Sequence, residues 1–494
     1  MRNRVRRHLS ALPRRTSEAR GSSFGSRALL DERAKEPDIV PLPPEFNYRN
    51  YTIMLLQIGA ELEHVLMVEY LYAAWSLGGP QVPPKHREQV RGWQEVILGI
   101  AKEEMGHLVS VQDLLRLLGG PISLEREDSP WDDDFYPFPF ALEPLSLDSL
   151  AKYIYAEMPP DWEGPLADEV KRRAEAAGDG KKLHRVGELY STLKALFGWP
   201  KAPGAQPYLR DADFHANTYP FQATWDEWGR GYKKGERGIT DRASTGAAVA
   251  ETPDVLVLPG ATRDAALAAL EQIMEQGEET TNAGGELSHF RRFLVIYEEL
   301  KKYEHDGWKP SRNVPTNPST PRDLNGDGTS ESTTSTVITH PEAVAWAHLF
   351  NVRYRMTLTN LAHTFELGSA RMRDDVEATA RGSLINATFG EMYNLRAIAN
   401  ILMQTPLHEK GDEVAGPTFE MPYTLALPAD ELDRWRLHGD LYEAADAQIA
   451  SLLGEGPNAV RSEHRPYLIS LREADRRARQ QIDIILNERK RSRR

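Results

Sequence analysis

The feature that most constrains this fold is a pair of long apolar segments that each place carboxylates among side chains expected to be buried. Residues 51–77 form one segment and contain Glu63, and residues 87–118 form the other. In the second segment apolar residues recur at the three-to-four spacing of one helical face. Glu104 falls on that face, and His107 lies about one turn beyond. A carboxylate in an apolar core is costly unless another group neutralises it, so both helices require a compensating partner.

A second acidic region supplies a matching set of groups. Residues 261–276 predict an amphipathic helix, which runs into the acidic cluster 275–279. Glu286 and His289 follow with the same Glu-x-x-His spacing, ahead of another apolar helix. Four-helix dimetal carboxylate proteins bind their metal ions with one Glu from each of two helices and a Glu-x-x-His pair from each of the other two. The chain therefore contains enough ligands for two metal ions.

Several assignments stay open at this level. Glu61, Glu63 and His64 all lie on a segment that is apolar all round. Glu63 is preferred because Tyr70 shares its face, about 10 Å along the helix. For any single Glu-x-x-His pair, a solvated i,i+3 contact or a hydrogen-bonded core histidine is an equally good interpretation. Tyr70 and Tyr72 are candidate catalytic residues that would line a pocket or move electrons, although such aromatic residues more often only fill the core.

Composition excludes several classes of protein. The chain has 73 acidic and 60 basic residues and a net charge of -13, which argues against nucleic acid as an electrostatic partner. It has no cysteine, so disulfides, thiolate nucleophiles and cysteine-bound metal clusters are excluded. No continuous apolar run reaches the roughly eighteen residues of a membrane span, and the start has no hydrophobic signal core. We therefore expect no membrane partner and a cytoplasmic location.

Five segments are predicted along the chain. Residues 1–46 are a disordered basic arm, residues 47–307 a dimetal bundle with inserted loops, and residues 308–340 a low-complexity linker or surface excursion. Residues 341–487 are additional helices packed on the bundle, and residues 488–494 are a basic tail. The metal site is thus expected in the first half of the chain.

Two features outside the predicted bundle have competing interpretations. The excursion contains the first half of an EF-hand loop, starting at Asp323, but its twelfth position is Thr334 instead of Glu, so a calcium site is the weaker interpretation. His363, Glu366 and Glu391 lie on the C-terminal helices, where packing with occasional buried polar contacts is favoured over metal binding.

A group of short motifs occurs together in one known family. Within the predicted bundle they are Leu62-Glu63-His64, Tyr70-Leu71-Tyr72-Ala73, Glu103-Glu104-Met105-Gly106-His107-Leu108, Gln276-Gly277-Glu278 and Ser288-His289-Phe290. Further motifs, among them Glu157-Met158-Pro159 and Phe350-Asn351-Val352-Arg353-Tyr354, extend the likeness over roughly residues 50–425. Together they resemble the ferritin-like domain named after the iminophenyl-pyruvate dimer synthases of bisindole pathways such as violacein biosynthesis.

The resemblance implies a fold and a ligand set. The implied fold is mainly α, a ferritin-like four-helix bundle elaborated by long loops and additional C-terminal helices. The implied metal ligands are Glu63, Glu104, His107, Glu278, Glu286 and His289. The sequence departs from the family at Glu69, where a proline is common, and at Glu279, where a glycine often stands. Glu69 would alter the substrate pocket, and Glu275 or Glu279 competes with Glu278 as the ligand.

The ligand chemistry and the resemblance together suggest a reaction. Four carboxylates and two imidazoles suit two ions of iron or manganese, and iron is preferred here. Such a site predicts a diiron oxidase or oxygenase that uses dioxygen or peroxide. The resemblance implies a small organic substrate, such as an amino-acid-derived imine of secondary metabolism, and is compatible with a homo-oligomer. The alternatives are a manganese catalase-like disproportionation of peroxide, or a metal-binding or interaction module without turnover.

Overall fold

The computed structural model of the protein describes residues 40–129, 131, 135–178, 183–200, 205–228, 257–278, 287–321, 335–368, 379–421 and 425–492. The chain divides into two compact units. Unit 1 comprises Met1–Arg126 and Trp131–Ser311, and unit 2 comprises Glu127–Pro130 and Arg312–Arg494. The boundary between the units lies close to the predicted end of the bundle at residue 307. That the C-terminal helices pack on the bundle stays a prediction.

The regular elements in the described part of unit 1 are all helices. Its α-helices are α1 Tyr48–Ser76, α2 Arg87–Leu117, α3 Leu147–Glu157, α4 Pro165–Ala177, α5 Val186–Phe197, α6 Trp225–Trp228, α7 Arg263–Gly277 and α8 His289–Lys301. Short 3₁₀ helices span Pro84–His86, Asp211–Asp213 and Ala216–Phe221. Helix α1 packs along α2, α3 packs against α4 and α8, and α5 packs against α1 and α7.

The two long helices follow the sequence pattern closely. Helix α1 begins at Asn47, whose side chain accepts a hydrogen bond from the backbone N–H of Asn50 at 2.8 Å. Helix α2 ends just before Gly119, which adopts the left-handed conformation with a φ of 68°. Among the described residues, α1 is the one helix long and apolar enough to cross a membrane, but 78% of its most apolar window is buried inside the protein. It is the central helix of unit 1.

Shorter helices end or begin at the positions that matter for the site. Helix α3 starts with a capping box between Ser146 and Ser149, and it ends at Glu157 because Pro159 and Pro160 cannot continue it. Helix α8 starts at Ser288, whose hydroxyl accepts from a backbone N–H at 3.3 Å. Glu157 therefore lies at the last residue of one helix and His289 at the first residue of another.

The described residues of unit 2 form four long helices and one short pair of strands. The α-helices are α9 Pro341–Thr364, α10 Ala380–Leu402, α11 Glu431–Leu453 and α12 Arg465–Ser492. Strands β1 Pro318–Ser319 and β2 Thr336–Val337 pair in parallel, and a 3₁₀ helix spans Ser462–His464. Helix α9 packs against α10 and α11, and α11 packs against α12.

The core of unit 2 explains the acidic residue that the sequence left in doubt. Glu391 is buried and lies 3.1 Å from Arg353, whose guanidinium also bonds Asp475. His363 stacks on His438, with a nitrogen of each ring 2.9 Å apart. Glu391 is thus paired with a buried cation, which agrees with a packing role.

The predicted fold class is confirmed, since nearly all regular secondary structure in the described residues is helical and additional C-terminal helices are present. Several predictions concern residues outside the described part of the chain. These are residues 1–39 of the predicted arm, the EF-hand-like loop from Asp323 to Thr334, and the two acidic residues Glu279 and Glu286.

Candidate metal centre

Helix α1 presents only one of its three candidate groups to the site. Glu63 is 1% exposed and accepts a hydrogen bond from the hydroxyl of Tyr190 on α5. Glu61 instead accepts from Tyr136 at 2.5 Å, and His64 places Nδ1 2.9 Å from a backbone carbonyl. Because successive residues of a helix lie about 100° apart, Glu63 can face α2 and α5 while its neighbours face elsewhere.

Glu63, Glu104 and His107 form the first buried group. His107 Nδ1 lies 3.1 Å from Oε2 of Glu104 and 3.3 Å from Oε2 of Glu63. One potential ligand atom from each of the three residues lies within 4.8 Å of the others. This is a compact set of two carboxylates and one imidazole, contributed by α1 and α2.

Glu104, Glu157 and His289 form the second buried group. His289 Nδ1 lies 2.9 Å from Oε1 of Glu104 and 3.9 Å from Oε1 of Glu157. The three ligand atoms again lie within 4.8 Å of one another. Glu104 therefore belongs to both groups and offers a different carboxylate oxygen to each.

Glu157 is the member of this site that the sequence analysis did not assign as a ligand. It lies four residues after Tyr153 and seven after Leu150, and both of these are buried. That spacing puts Glu157 on the core face of α3, by the same criterion that selected Glu104 on α2. The local pattern therefore contains the signal for Glu157, although it lies on a helix of only eleven residues.

Glu278 lines the same cavity as Glu63, Glu104 and Glu157. It caps the C-terminus of α7, and its Oε1 is buried although part of the residue remains accessible. Burial raises the pKa of Glu278 to about 8, against the opposing effect of Arg185. Its competitor Glu279 and the predicted ligand Glu286 lie outside the described residues.

The observed groups thus differ in membership from the predicted set. Four predicted ligands, Glu63, Glu104, His107 and His289, come together in the two groups, and Glu278 lines their cavity. With Glu157 they total four carboxylates and two imidazoles, the number in the dimetal template. Their role as ligands stays a prediction.

The electrostatics of the site require positive charge. Burial and the nearby charge of Glu104 raise the pKa of Glu63. Burial would also raise the pKa of Glu104, but His289 and His107 hold it well below its usual value. Burial lowers imidazole pKa values, yet Glu104 and Glu63 raise the pKa of His107 to about 10. The buried carboxylates and imidazoles therefore stabilise each other's charges.

The donor atoms fit a bound cation. Three buried atoms, Glu104 Oε1, His289 Nδ1 and Glu278 Oε1, have no hydrogen-bond partner. The first two lie only 2.9 Å apart, but in a geometry unsuited to a hydrogen bond. Unpaired buried polar atoms are costly, and coordination would satisfy them. Carboxylate oxygens with imidazole nitrogens are suitable ligands for iron or manganese.

Of the two predicted catalytic tyrosines, Tyr70 touches the site. Its hydroxyl donates to Oε1 of Glu157 at 2.7 Å, and the charges of Glu157 and Glu104 add to burial in raising the pKa of Tyr70. Tyr72 is fully buried on the same helix, and burial raises its pKa. It lies two residues beyond Tyr70 and therefore about 200° around the helix axis, on the side opposite to Glu63.

The chain is similar to known proteins. Residues 56–298 match the family model described as Ferritin-like. A curated relative, dichlorochromopyrrolate synthase of Lentzea aerocolonigenes, is 27% identical over 409 residues. The alignment covers 76% of this chain, which spans 36% of the length of that relative. A solved ferritin-like protein of Caulobacter vibrioides is 18% identical, with a TM-score of 0.38 and coverage of 70% of this chain and 97% of that one.

Proposed function

Because residues 56–298 of this chain form a ferritin-like domain, we propose that the protein is a dimetal oxidoreductase that holds two iron ions and uses dioxygen or peroxide. The observation that carries this proposal is the sharing of Glu104 between two buried groups of ligands. A carboxylate with one oxygen directed to each group is suited to bridging two adjacent ions. No single-ion site would need both groups.

The protein's own residues would hold and enclose the ions. Two redox-active ions would supply electrons to dioxygen or peroxide, and every other contribution comes from side chains. Glu63 and His107 would hold one ion, Glu157 and His289 the other, and Glu104 both. These five residues are at most 4% exposed, so the site excludes bulk water. A dry pocket strengthens electrostatic interactions with the reacting groups.

Two tyrosines orient Glu63 and Glu157, the two carboxylates that each belong to only one ligand group. Tyr190 donates to Glu63, and Tyr70 donates to Oε1 of Glu157. At Glu63 this bond leaves Oε2 to face His107. At Glu157 the oxygen that accepts from Tyr70 is also the one nearest to His289, so Tyr70 holds that oxygen in place. Tyr70 also places a hydroxyl proton beside the His289 group, so we propose Tyr70 rather than Tyr72 as the catalytic tyrosine.

The substrate class is supported by the curated relative. Its name, dichlorochromopyrrolate synthase, describes a biosynthetic enzyme that makes a small organic molecule. We propose that this chain also acts on a small organic intermediate of secondary metabolism, such as an amino-acid-derived imine. A cytoplasmic location and a homo-oligomer remain predictions of the sequence.

Metal loading followed by turnover tests the proposal. The purified chain would be loaded anaerobically with ferrous iron or with manganese, and then exposed to dioxygen or to hydrogen peroxide. Two bound iron ions and oxygen consumption are expected, whereas manganese with peroxide disproportionation would favour the catalase-like alternative. Bound metal without turnover would indicate a binding module. A chain that binds neither metal would refute the proposal. Glu61→Gln is a control on α1, because Glu61 lies outside both ligand groups and its replacement should leave metal binding unchanged.

A further inference from the structure

We propose that the two metal positions are unequal, and that the position built around His289 binds its ion first. The difference lies in the groups that hold the outer nitrogens of the two imidazoles. This inference rests on the proposed dimetal function, since it concerns the order and strength of binding at the same site.

The outer nitrogen of His289 is held by a carboxylate. Its Nε2 lies 2.9 Å from Oε2 of Glu103, the residue that precedes the shared Glu104 on α2. Arg292 donates two hydrogen bonds to the carboxylate of Glu103, and the one from Nη1 to Oε1 is 3.0 Å long. An ionised carboxylate only accepts hydrogen bonds, so Nε2 of His289 must carry the hydrogen. This leaves Nδ1 directed at Glu104 and Glu157, where an ion would sit.

The outer nitrogen of His107 is held by a neutral amide instead. Its Nε2 lies 2.9 Å from Oε1 of Gln276, which is buried on α7. The ring is therefore oriented in the same way, with Nδ1 facing Glu63 and Glu104. The two positions have similar inner ligands, but one imidazole is supported by a charged acceptor and the other by an uncharged one.

The difference in acceptor predicts a difference in affinity. A carboxylate that accepts the outer N–H of a metal-binding histidine raises the basicity of the ring and fixes its orientation, and an amide does so less strongly. Arg292 shares part of the charge of Glu103, which moderates this effect while locking the carboxylate in place. His289 is thus the stronger donor and His107 the weaker one. Glu103 and Gln276 are positioning residues, since they act through the two imidazoles.

Replacing each acceptor, Glu103 or Gln276, with the residue type of the other tests this inference. Divalent cobalt would be titrated into the metal-free protein and followed by calorimetry together with visible absorption. Wild-type protein should bind two ions in two resolved steps. Glu103→Gln gives both imidazoles an amide partner, so the tight step should weaken about 10- to 100-fold and approach the weak one. Gln276→Glu gives both a carboxylate partner and should strengthen the weak step.

The controls separate this inference from the proposed function. Glu95→Gln removes a charge from α2 away from the site and should leave both steps unchanged. A general loss of structure would weaken both steps together, whereas the inference requires one step to move in each variant. If Glu103→Gln and Gln276→Glu each shift both steps equally, or shift neither, the positions are equivalent and the inference is wrong. If the wild-type chain binds no cobalt, the dimetal proposal itself fails.

Discussion

Gly187 offers a way to displace Glu278, a ligand predicted from the sequence, without replacing it. A Cβ atom added at Gly187, the second residue of α5, would lie 1.5 Å from Oε1 and 2.1 Å from Cδ of Glu278. Carbon atoms in contact lie about 3.5–4.0 Å apart, so Gly187→Ala would push the carboxylate back by about 2 Å. The carboxylate of Glu278 lies at the end of a flexible side chain, so it can move without disturbing the backbone.

The expected effect of Gly187→Ala on the free energy of unfolding has opposite signs in the absence and in the presence of metal. Alanine in a helix is favoured over glycine by roughly 0.5–1 kcal/mol, so the metal-free variant should be at least as stable as wild type. A single bound ion at 100 times its dissociation constant adds about 2.7 kcal/mol to the free energy of unfolding. If Glu278 is a ligand, Gly187→Ala should lose much of that increment.

Thermal unfolding followed by circular dichroism measures the stability of the metal-free protein when chelator is present. The same measurement with excess metal gives the increment that metal adds. Gly92→Ala is the matched control, because it makes the same change on α2 where an added Cβ meets no atom within 4 Å. Glu278→Gln should reproduce the loss of bound metal, and the double variant with Gly187→Ala should lose no more than either alone. Equal metal-dependent stabilisation in Gly187→Ala and Gly92→Ala would refute the assignment of Glu278.

Three further predictions follow from single residues. Arg353→Met removes the cation that pairs with the buried carboxylates of Glu391 and Asp475. It should lower the free energy of unfolding of unit 2 by about 3–5 kcal/mol in urea, and a loss under about 1 kcal/mol would contradict this. Burial lowers the pKa of His438 to about 4, so the unfolded chain binds more protons between pH 6.5 and 4. The contribution of His438 to the free energy of unfolding should therefore be fully present above pH 6.5 and fall by about 3 kcal/mol towards pH 4. Urea unfolding as a function of pH should show this dependence in the wild type and not in His438→Gln. Glu63→Ala should lose bound metal while Glu61→Ala keeps it, and equal losses in metal analysis would show that the wrong acid was chosen.

The sequence predicted those parts of the site that depend on local periodicity. Glu104 was found because it interrupts an apolar stripe, and the same test applied to α3 finds Glu157. The twist of a single helix likewise separates Tyr70 from Tyr72. These are properties of one helix at a time, so the chain order is enough to reveal them.

The pairing between helices could not be read in this way. Tyr190 meets Glu63 across 127 positions of the chain, and Gln276 meets His107 across 169. No local pattern in either segment specifies its partner, because the contact exists only after α5 and α7 have packed. His289 meets carboxylates on α2 and α3. Its predicted Glu-x-x-His partner, Glu286, lies outside the described residues.

The proposed dimetal site requires one shared carboxylate, Glu104, and counting metal ions per chain tests that requirement directly. After anaerobic loading and removal of free metal, wild-type protein should retain two ions by elemental analysis. Glu104→Ala should lose both, because Glu104 belongs to both ligand groups, whereas Glu63→Ala should lose one and keep the other. A Glu104→Ala protein that retains as many ions as Glu63→Ala would contradict a bridged dimetal site.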